Sequence, residues 1–97
     1  MHYYYLQLYN LFGLLLENIF LMFLLPQKIL QNQNVQGIDM LQTRIFGNKI
    51  YVDVEILLDA TLPLGKAHAI AEDVHDDIER NFPKVKHIMI HVNPYEM

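Results

Sequence analysis

The sequence contains no cysteine, no serine and no tryptophan, and these absences exclude several kinds of chemistry. Without cysteine there is neither a disulfide framework nor a thiolate metal site, so any metal must be held by His, Asp, Glu or Asn. Serine and cysteine nucleophiles are both missing, and the four glycines form no phosphate-binding loop. We therefore expect no enzymatic activity.

Basic residues are also scarce. The chain has seven Lys and Arg against eleven Asp and Glu, a net charge of -4. Because nucleic-acid affinity depends largely on basic patches, we expect no nucleic-acid partner. A length of 97 residues gives room for one small hydrophobic core.

The charges are distributed unevenly along the chain. Residues 1–34 contain only Glu17 and Lys28, whereas the remaining 63 residues carry the other sixteen charges. The segment from Leu11 to Leu25 is apolar on all sides, a pattern typical of burial in protein or in lipid. The sequence thus predicts an apolar helical arm with a linker over 1–34 and a folded domain over 35–97.

Three interpretations of the arm remain open. It could contact a membrane through residues 3–25, with the tyrosine-rich start at the interface, it could pack against a partner chain, or it could be the remnant of a last membrane helix. A cleavable signal peptide is not expected, because the start has no Lys or Arg and no small-residue cleavage site precedes Pro26. From Pro26 we expect a short helix to about Gln31, followed by a polar turn.

Two runs rich in β-branched and aromatic residues, 38–46 and 49–58, are separated by Gly47-Asn48, which predicts an antiparallel hairpin. In the second run the even-numbered residues are apolar and predict the core face, whereas Glu55 lies on the other face. A third strand is predicted over "KHIMIHVNP", with its inward positions at Ile88, Ile90 and Val92.

Between the second and third strands, the sequence predicts a helix that ends before Pro83. Thr61 is its expected N-cap, and Pro63 lies in its first turn. Its apolar stripe recurs at helical spacing. The predicted buried positions are Leu64, Ala67, Ala71, Val74, Ile78 and Phe82.

The order helix, strand, strand, helix, strand predicts an α+β fold: a two-layer α-β-β-α-β sandwich with a three-stranded sheet and its helices on one face. The other face, with Tyr51, Asp53, Glu55 and Met89, remains uncovered. Dimerisation would supply the missing burial.

The polar side of the second helix carries His68, Glu72, His75 and Glu79 at spacings of four, three and four. A charged helix face is usually a solvated face, which is our interpretation of the last three residues. His68 lies next to Ala67 at the edge of the apolar stripe, where a lone histidine is usually a satisfied edge residue and less often a metal ligand, so its position leaves both interpretations open.

Residues 35–94 resemble the cytoplasmic C-terminal domain of cation diffusion facilitator transporters. The similarity depends on an ordered set of short pieces at matching intervals rather than on one motif. These are Gly37 followed by Leu41, Thr43 and Arg44, then Gly47, Leu58-Asp59, Ala67-His68, Ile70-Ala71, Val74, Phe82-Pro83, and Ile90-His91 before Pro94.

The resemblance implies a ferredoxin-like, metallochaperone-like domain that dimerises at the cytoplasmic face of the cell membrane. Such a domain binds Zn2+ or a similar divalent ion and thereby biases the membrane domain of a metal/proton antiporter. Residues 1–34 lack the paired polar ligands of a transport site, so we do not expect this chain to transport metal alone. The alternative is a stand-alone dimerisation or interaction module with no metal role.

The resemblance also implies a metal site. His68 and His91 stand at histidine positions of zinc-binding members, and Asn93 replaces an acidic residue. Asp39 and Glu55 stand where such members have two further histidines, so the implied ligand set is richer in oxygen. His75 and His87 match no ligand position and are expected to be surface residues.

Overall fold

The computed structural model describes the backbone of residues 2–96 and the side chains of residues 13 and 15–96. The elements are α1 (His2–Leu30), β1 (Gly37–Phe46), β2 (Lys49–Asp59), α2 (Leu64–Asn81) and β3 (Val85–Tyr95). The sheet order is β1-β2-β3, with β1 antiparallel and β3 parallel to the central strand β2. The predicted α-β-β-α-β fold with a three-stranded sheet is thus confirmed.

The turn between β1 and β2 has the residues that a two-residue hairpin needs. Gly47 has a φ of +62°, and Asn48 has a negative φ. A positive φ at the first central position alone matches a type II′ turn, in which glycine is favoured at that position. The predicted antiparallel hairpin is confirmed.

The core lies between one face of the sheet and the two helices. Every even-numbered residue from Ile50 to Leu58 in β2 is at most 1% exposed, as the alternation predicts. Both helices contribute side chains to the same apolar cluster. The helix residues buried in it are Leu21, Leu25 and Ile29 from α1 and Ile70, Val74 and Ile78 from α2.

The prediction that a separate helix starts at Pro26 is wrong, because α1 is continuous and Pro26 lies inside it. Proline removes one backbone hydrogen bond and disfavours a helix interior. Here Leu25 and Ile29 are both buried in the core, and this packing holds the helix across the proline.

The outward side of α1 is apolar between residues 15 and 24, where seven large apolar side chains are exposed. Among the described residues, no helix has the length and apolarity needed to cross a membrane. The tyrosines at the start of the predicted arm lie outside the described side chains. The boundary at residue 34 stays a prediction, although the last turns of α1 pack into the domain core.

Two details of the predicted second helix are corrected. Thr61 does not cap α2, which begins at Leu64 after Pro63 and has no side-chain cap. Instead, the Thr61 backbone N–H and hydroxyl both donate to Asp59 Oδ1, at 2.8 Å. Leu64, predicted to be buried, is 86% exposed because it lies in the first turn, before the core-facing stripe begins.

The third strand differs from the prediction at its end. Ile88 and Ile90 pack against the core as expected. Val92 is 40% exposed although it has the same parity.

Candidate metal site

The face of the sheet that points away from both helices is uncovered in this chain, and we call it the open sheet face. Its members follow from the strand registers, because residues directly opposite each other share a face. In order along β1, β2 and β3 they are Gly37, Met40, Gln42, Arg44, Phe46, Lys49, Tyr51, Asp53, Glu55, Leu57, Asp59, His87, Met89, His91, Asn93 and Tyr95.

Four of the five predicted metal ligands lie toward the same end of this face, in two pairs. Glu55 is opposite His91 in the parallel β2–β3 register, and Asn93 follows two residues later on the same face. Asn93 Nδ2 donates a hydrogen bond to Asp39 Oδ2, at 3.1 Å, although the two residues belong to opposite edge strands. We call Asp39, Glu55, His91 and Asn93 the donor group.

A β-bulge between Ile38 and Met40 accounts for the position of Asp39. Simple alternation would place neighbours Asp39 and Met40 on opposite faces. The bulge adds one unpaired residue and redirects the side chain. Asp39 therefore reaches Asn93 on the open sheet face, a contact that the sequence alone did not reveal.

The fifth predicted ligand, His68, lies in the other layer of the fold. It is on α2, its side chain is 72% exposed, and its Nε2 is 3.1 Å from Glu72 Oε1. The helices cover the opposite face of the sheet from the donor group. Within one chain, His68 and His91 are therefore not brought together.

The remaining members of the polar stripe form a solvated helix face. His75 Nδ1 is 3.6 Å from Asp76 Oδ1 and 4.0 Å from Glu79 Oε2. Pairs four residues apart are neighbours on a helix surface, and exposed ion pairs contribute little to stability.

The donor group is not a closed metal cage. In the part of the chain that the structure describes, no three His, Asp or Glu side chains are close enough to hold an ion together. The group consists instead of two neighbouring pairs, Asp39 with Asn93 and Glu55 with His91. Its two carboxylates, one imidazole and one amide fit the chemistry of a divalent transition metal. Such an ion would require side-chain rotation or donors from a second copy.

The other end of the open sheet face is aromatic. The Tyr51 ring centroid is 4.9 Å from that of Phe46 and 5.1 Å from that of His87. Between the two ends, Arg44 Nη2 is 3.6 Å from Asp53 Oδ2. Sequence reasoning expected His87 to be a surface residue and missed this stacking, which strand register alone would have indicated.

A wide cleft of about 570 Å³ opens at the end of the sheet where β2 and β3 finish. Its lining includes Asp59, Thr61, Tyr95 and Glu96. The backbone N–H and the hydroxyl of Thr61 lower the pKa of Asp59 below its usual value, in that order of importance. This carboxylate therefore stays charged at the end of the sheet that carries the donor group.

Comparison with known proteins identifies the same family that the sequence resemblance indicated. Over residues 25–95 the chain matches the family described as "Cation efflux protein, cytoplasmic domain". It is 37% identical over 67 residues to the manganese efflux system protein MneP of Bacillus subtilis (strain 168), covering 69% of this chain and 23% of that protein. It is 37% identical over 68 residues to metal tolerance protein C1 of Arabidopsis thaliana, covering 70% of this chain and 14% of that protein. The chain thus spans less than a quarter of the length of these relatives.

Solved structures of other proteins share the fold of this chain. A structure of MamM-CTD superposes with a TM-score of 0.71 at 21% identity, covering 74% of this chain and 90% of that one. The nickel form of a MamM CTD variant in which a glutamate is replaced by histidine gives a TM-score of 0.70 at 21% identity, covering 74% of this chain and 91% of that one. The family match extends over well over half of the chain. The chain therefore belongs to the family of cytoplasmic domains of cation efflux proteins, a family of transporter domains rather than of enzymes.

Proposed function

We propose that this chain is the dimeric, divalent-cation-binding regulatory domain of a cation efflux transporter, located at the cytoplasmic face of the cell membrane. Family membership supports the transporter and the cytoplasmic side. The observation that carries the metal role is the donor group: four side chains with ligand chemistry at one end of an uncovered sheet face.

The proposed ligands are His91, Glu55, Asp39 and Asn93 from the donor group, together with His68 from a second copy of the chain. His68 can join only in this way, because in its own chain it lies in the helix layer. Zn2+ is the ion that the sequence resemblance implies, and any other divalent transition metal is compatible with these residue types. The relative from B. subtilis is named for manganese efflux.

The proposed mechanism is linkage between metal binding and dimer arrangement. If only one arrangement of two copies binds the ion, the ion stabilises that arrangement by RT ln(1 + [M]/Kd), about 2.7 kcal/mol at a hundredfold excess over Kd. The chain's own residues attract and hold the cation, since the carboxylates of Asp39 and Glu55 provide negative charge. The transporter's membrane domain, the second proposed partner, would respond to the changed arrangement.

Isothermal titration calorimetry of Zn2+ into the whole chain tests this proposal, with light scattering to report mass. We expect micromolar or tighter binding to a dimer. His91→Ala should abolish binding, whereas His87→Ala, on the same strand and face, should preserve it. His68→Ala should weaken binding, whereas His75→Ala on the same helix should not.

The rival function is an interaction module without a metal role. The aromatic end of the open sheet face, where Phe46 is exposed beside Tyr51 and His87, favours it as a protein contact surface. A dimer that binds Zn2+ no tighter than about millimolar, with no effect of either ligand variant, would contradict the metal proposal and support this alternative.

A further inference from the structure

We propose that the outward side of α1 is a second interaction surface, and that its partner is the same side of α1 in another copy of this chain. This surface belongs to the helix layer, whereas the donor group lies on the open sheet face. The two surfaces point away from each other. The contact through α1 can therefore exist beside the proposed metal-linked dimer contact, and it does not depend on metal.

The outward side of α1 has the residue spacing of a helix–helix contact. Leu16, Ile19 and Phe23 follow each other at intervals of three and four, and Leu30 comes seven residues after Phe23. Their exposed fractions, in the same order, are 42%, 64%, 68% and 50%. Apolar residues at this heptad spacing form a strip that packs against a facing helix. We call these four residues the α1 seam.

The α1 seam is not part of the hydrophobic core of its own chain. Residues two positions apart on an α-helix point to nearly opposite sides. Ile19 and Phe23 therefore point away from Leu21 and Leu25, which are 5% and 0% exposed. Within the described part of the chain, no element covers the seam. Contiguous exposed apolar surface is uncommon on monomeric proteins and marks contact sites.

An apolar groove of about 190 Å³ lies beside the seam, where α1 passes the end of α2. Its apolar walls include Phe20, Leu24, Phe82 and Pro83. An apolar cavity of about 150 Å³ is large enough to bind benzene, so this groove can accept an aromatic ring from outside. Phe23, the most exposed side chain of the seam, carries such a ring.

A projecting ring and a receiving groove on the same chain are the main argument for a second copy as the partner. In a twofold-symmetric contact, the surface patch of each copy is complementary to itself. Phe23 of each copy would then enter the groove of the other. One contact fills both grooves and covers both seams.

The charges near the seam agree with this partner. The two charged residues in the described part of α1 are Glu17 and Lys28, and neither belongs to the seam. Glu17 Oε1 is 3.0 Å from Lys84 Nζ, so its charge is balanced within the chain. The outward side of the neighbouring α2 is acidic. An anionic lipid surface would meet that side together with α1, whereas a facing helix contacts α1 alone.

Light scattering of the whole chain in a metal chelator, over a wide range of concentrations, tests the proposal. The seam and groove are smaller than a standard interface of 20–30 residues a side, so we expect the mass to rise with concentration. Phe23→Glu should at least halve the mass at the highest concentration, because a twofold contact buries the unpaired charge twice. Ile19→Glu is the second variant if Phe23→Glu does not fold.

Leu64→Glu is the matched control. Leu64 is 86% exposed on α2, away from the seam, so the same change of an exposed apolar residue should leave the mass unchanged. Circular dichroism reports whether each variant is folded.

The outcomes identify the occupant of the seam. A folded Phe23→Glu variant with the mass of the unmodified chain at every concentration would overturn the proposal. The same conclusion follows if the chain binds phosphatidylcholine vesicles through Phe23 while its mass stays unchanged, because lipid would then be the partner. Zn2+ calorimetry of Phe23→Glu should match the unmodified chain, so this contact and the proposed metal role fail or stand independently.

Discussion

At the scale of single residues, the sequence predicted which sheet face some candidate donors share, but not where all of them lie in the fold. Glu55 and His91 lie where the alternation and the resemblance place them, on the face away from the helices. Asp39 reaches that face only through a bulge, which no local residue pattern indicated. The layer of His68 could not be predicted from spacing alone, because it depends on how the helix packs on the sheet.

Asp59 allows a titration test at the same scale. Thr61→Val removes the hydroxyl but keeps the backbone N–H, so the pKa of Asp59 should rise yet stay below its usual value. Because the folded-state pKa is lowered, the stability due to this carboxylate is present above pH about 3.9 and is lost as pH falls through the folded-state pKa. NMR titration of the Asp59 side chain measures the shift, with Thr43→Val as the control. An unchanged pKa would contradict the assignment.

At the scale of elements, hydrophobic periodicity predicted all three strands and α2, and local rules failed where packing dominated. Pro26 was predicted to start a helix, but α1 continues across it because Leu25 and Ile29 are buried in the core. Thr61 is a residue type that is favoured at N-caps, but its hydroxyl instead donates a hydrogen bond to Asp59 in the turn before the helix. Both errors arise because propensity is weaker than tertiary contacts.

The β1–β2 turn gives a matched pair of glycine substitutions. Gly47→Ala should destabilise the fold by about 1–2 kcal/mol, because its φ of +62° disfavours a side chain. A Cβ at Gly47 meets nothing within 4 Å, so the cost is conformational rather than steric. Gly65→Ala in α2, equally free of contacts, should stabilise by about 0.5–1 kcal/mol. Urea unfolding measures both, and equal effects would refute the assigned turn.

A second pair of substitutions tests whether α1 belongs to the domain. Ile29 is 2% exposed and Ile19 is 64% exposed on the same helix. Ile29→Ala should cost about 2–5 kcal/mol in the free energy of unfolding, as for other core truncations. Ile19→Ala should change it by less than about 0.5 kcal/mol in the isolated chain. Similar small effects at both positions would show that α1 is only a detachable arm.

At the scale of the whole molecule, the open sheet face is the surface through which a second copy and a metal ion are proposed to act. The end with the donor group and the aromatic end are both uncovered, and the sequence predicted this exposure from the parity of β2 and β3. The arrangement of two copies was beyond sequence reasoning, because it depends on which surfaces match rather than on local pattern. A second copy is also the only source of a His68 near the donor group.

The most direct test is a distance measurement between two copies with and without metal. Because the chain has no cysteine, Asp76→Cys on the exposed side of α2 places one spin label per chain without background labelling. Zn2+ is diamagnetic and leaves the double electron–electron resonance signal intact. We predict an inter-chain distance distribution that shifts and narrows on Zn2+ binding, and that does not respond when His91→Ala is added. A distribution that is unchanged while calorimetry shows the ion bound would contradict the claim that metal sets the dimer arrangement.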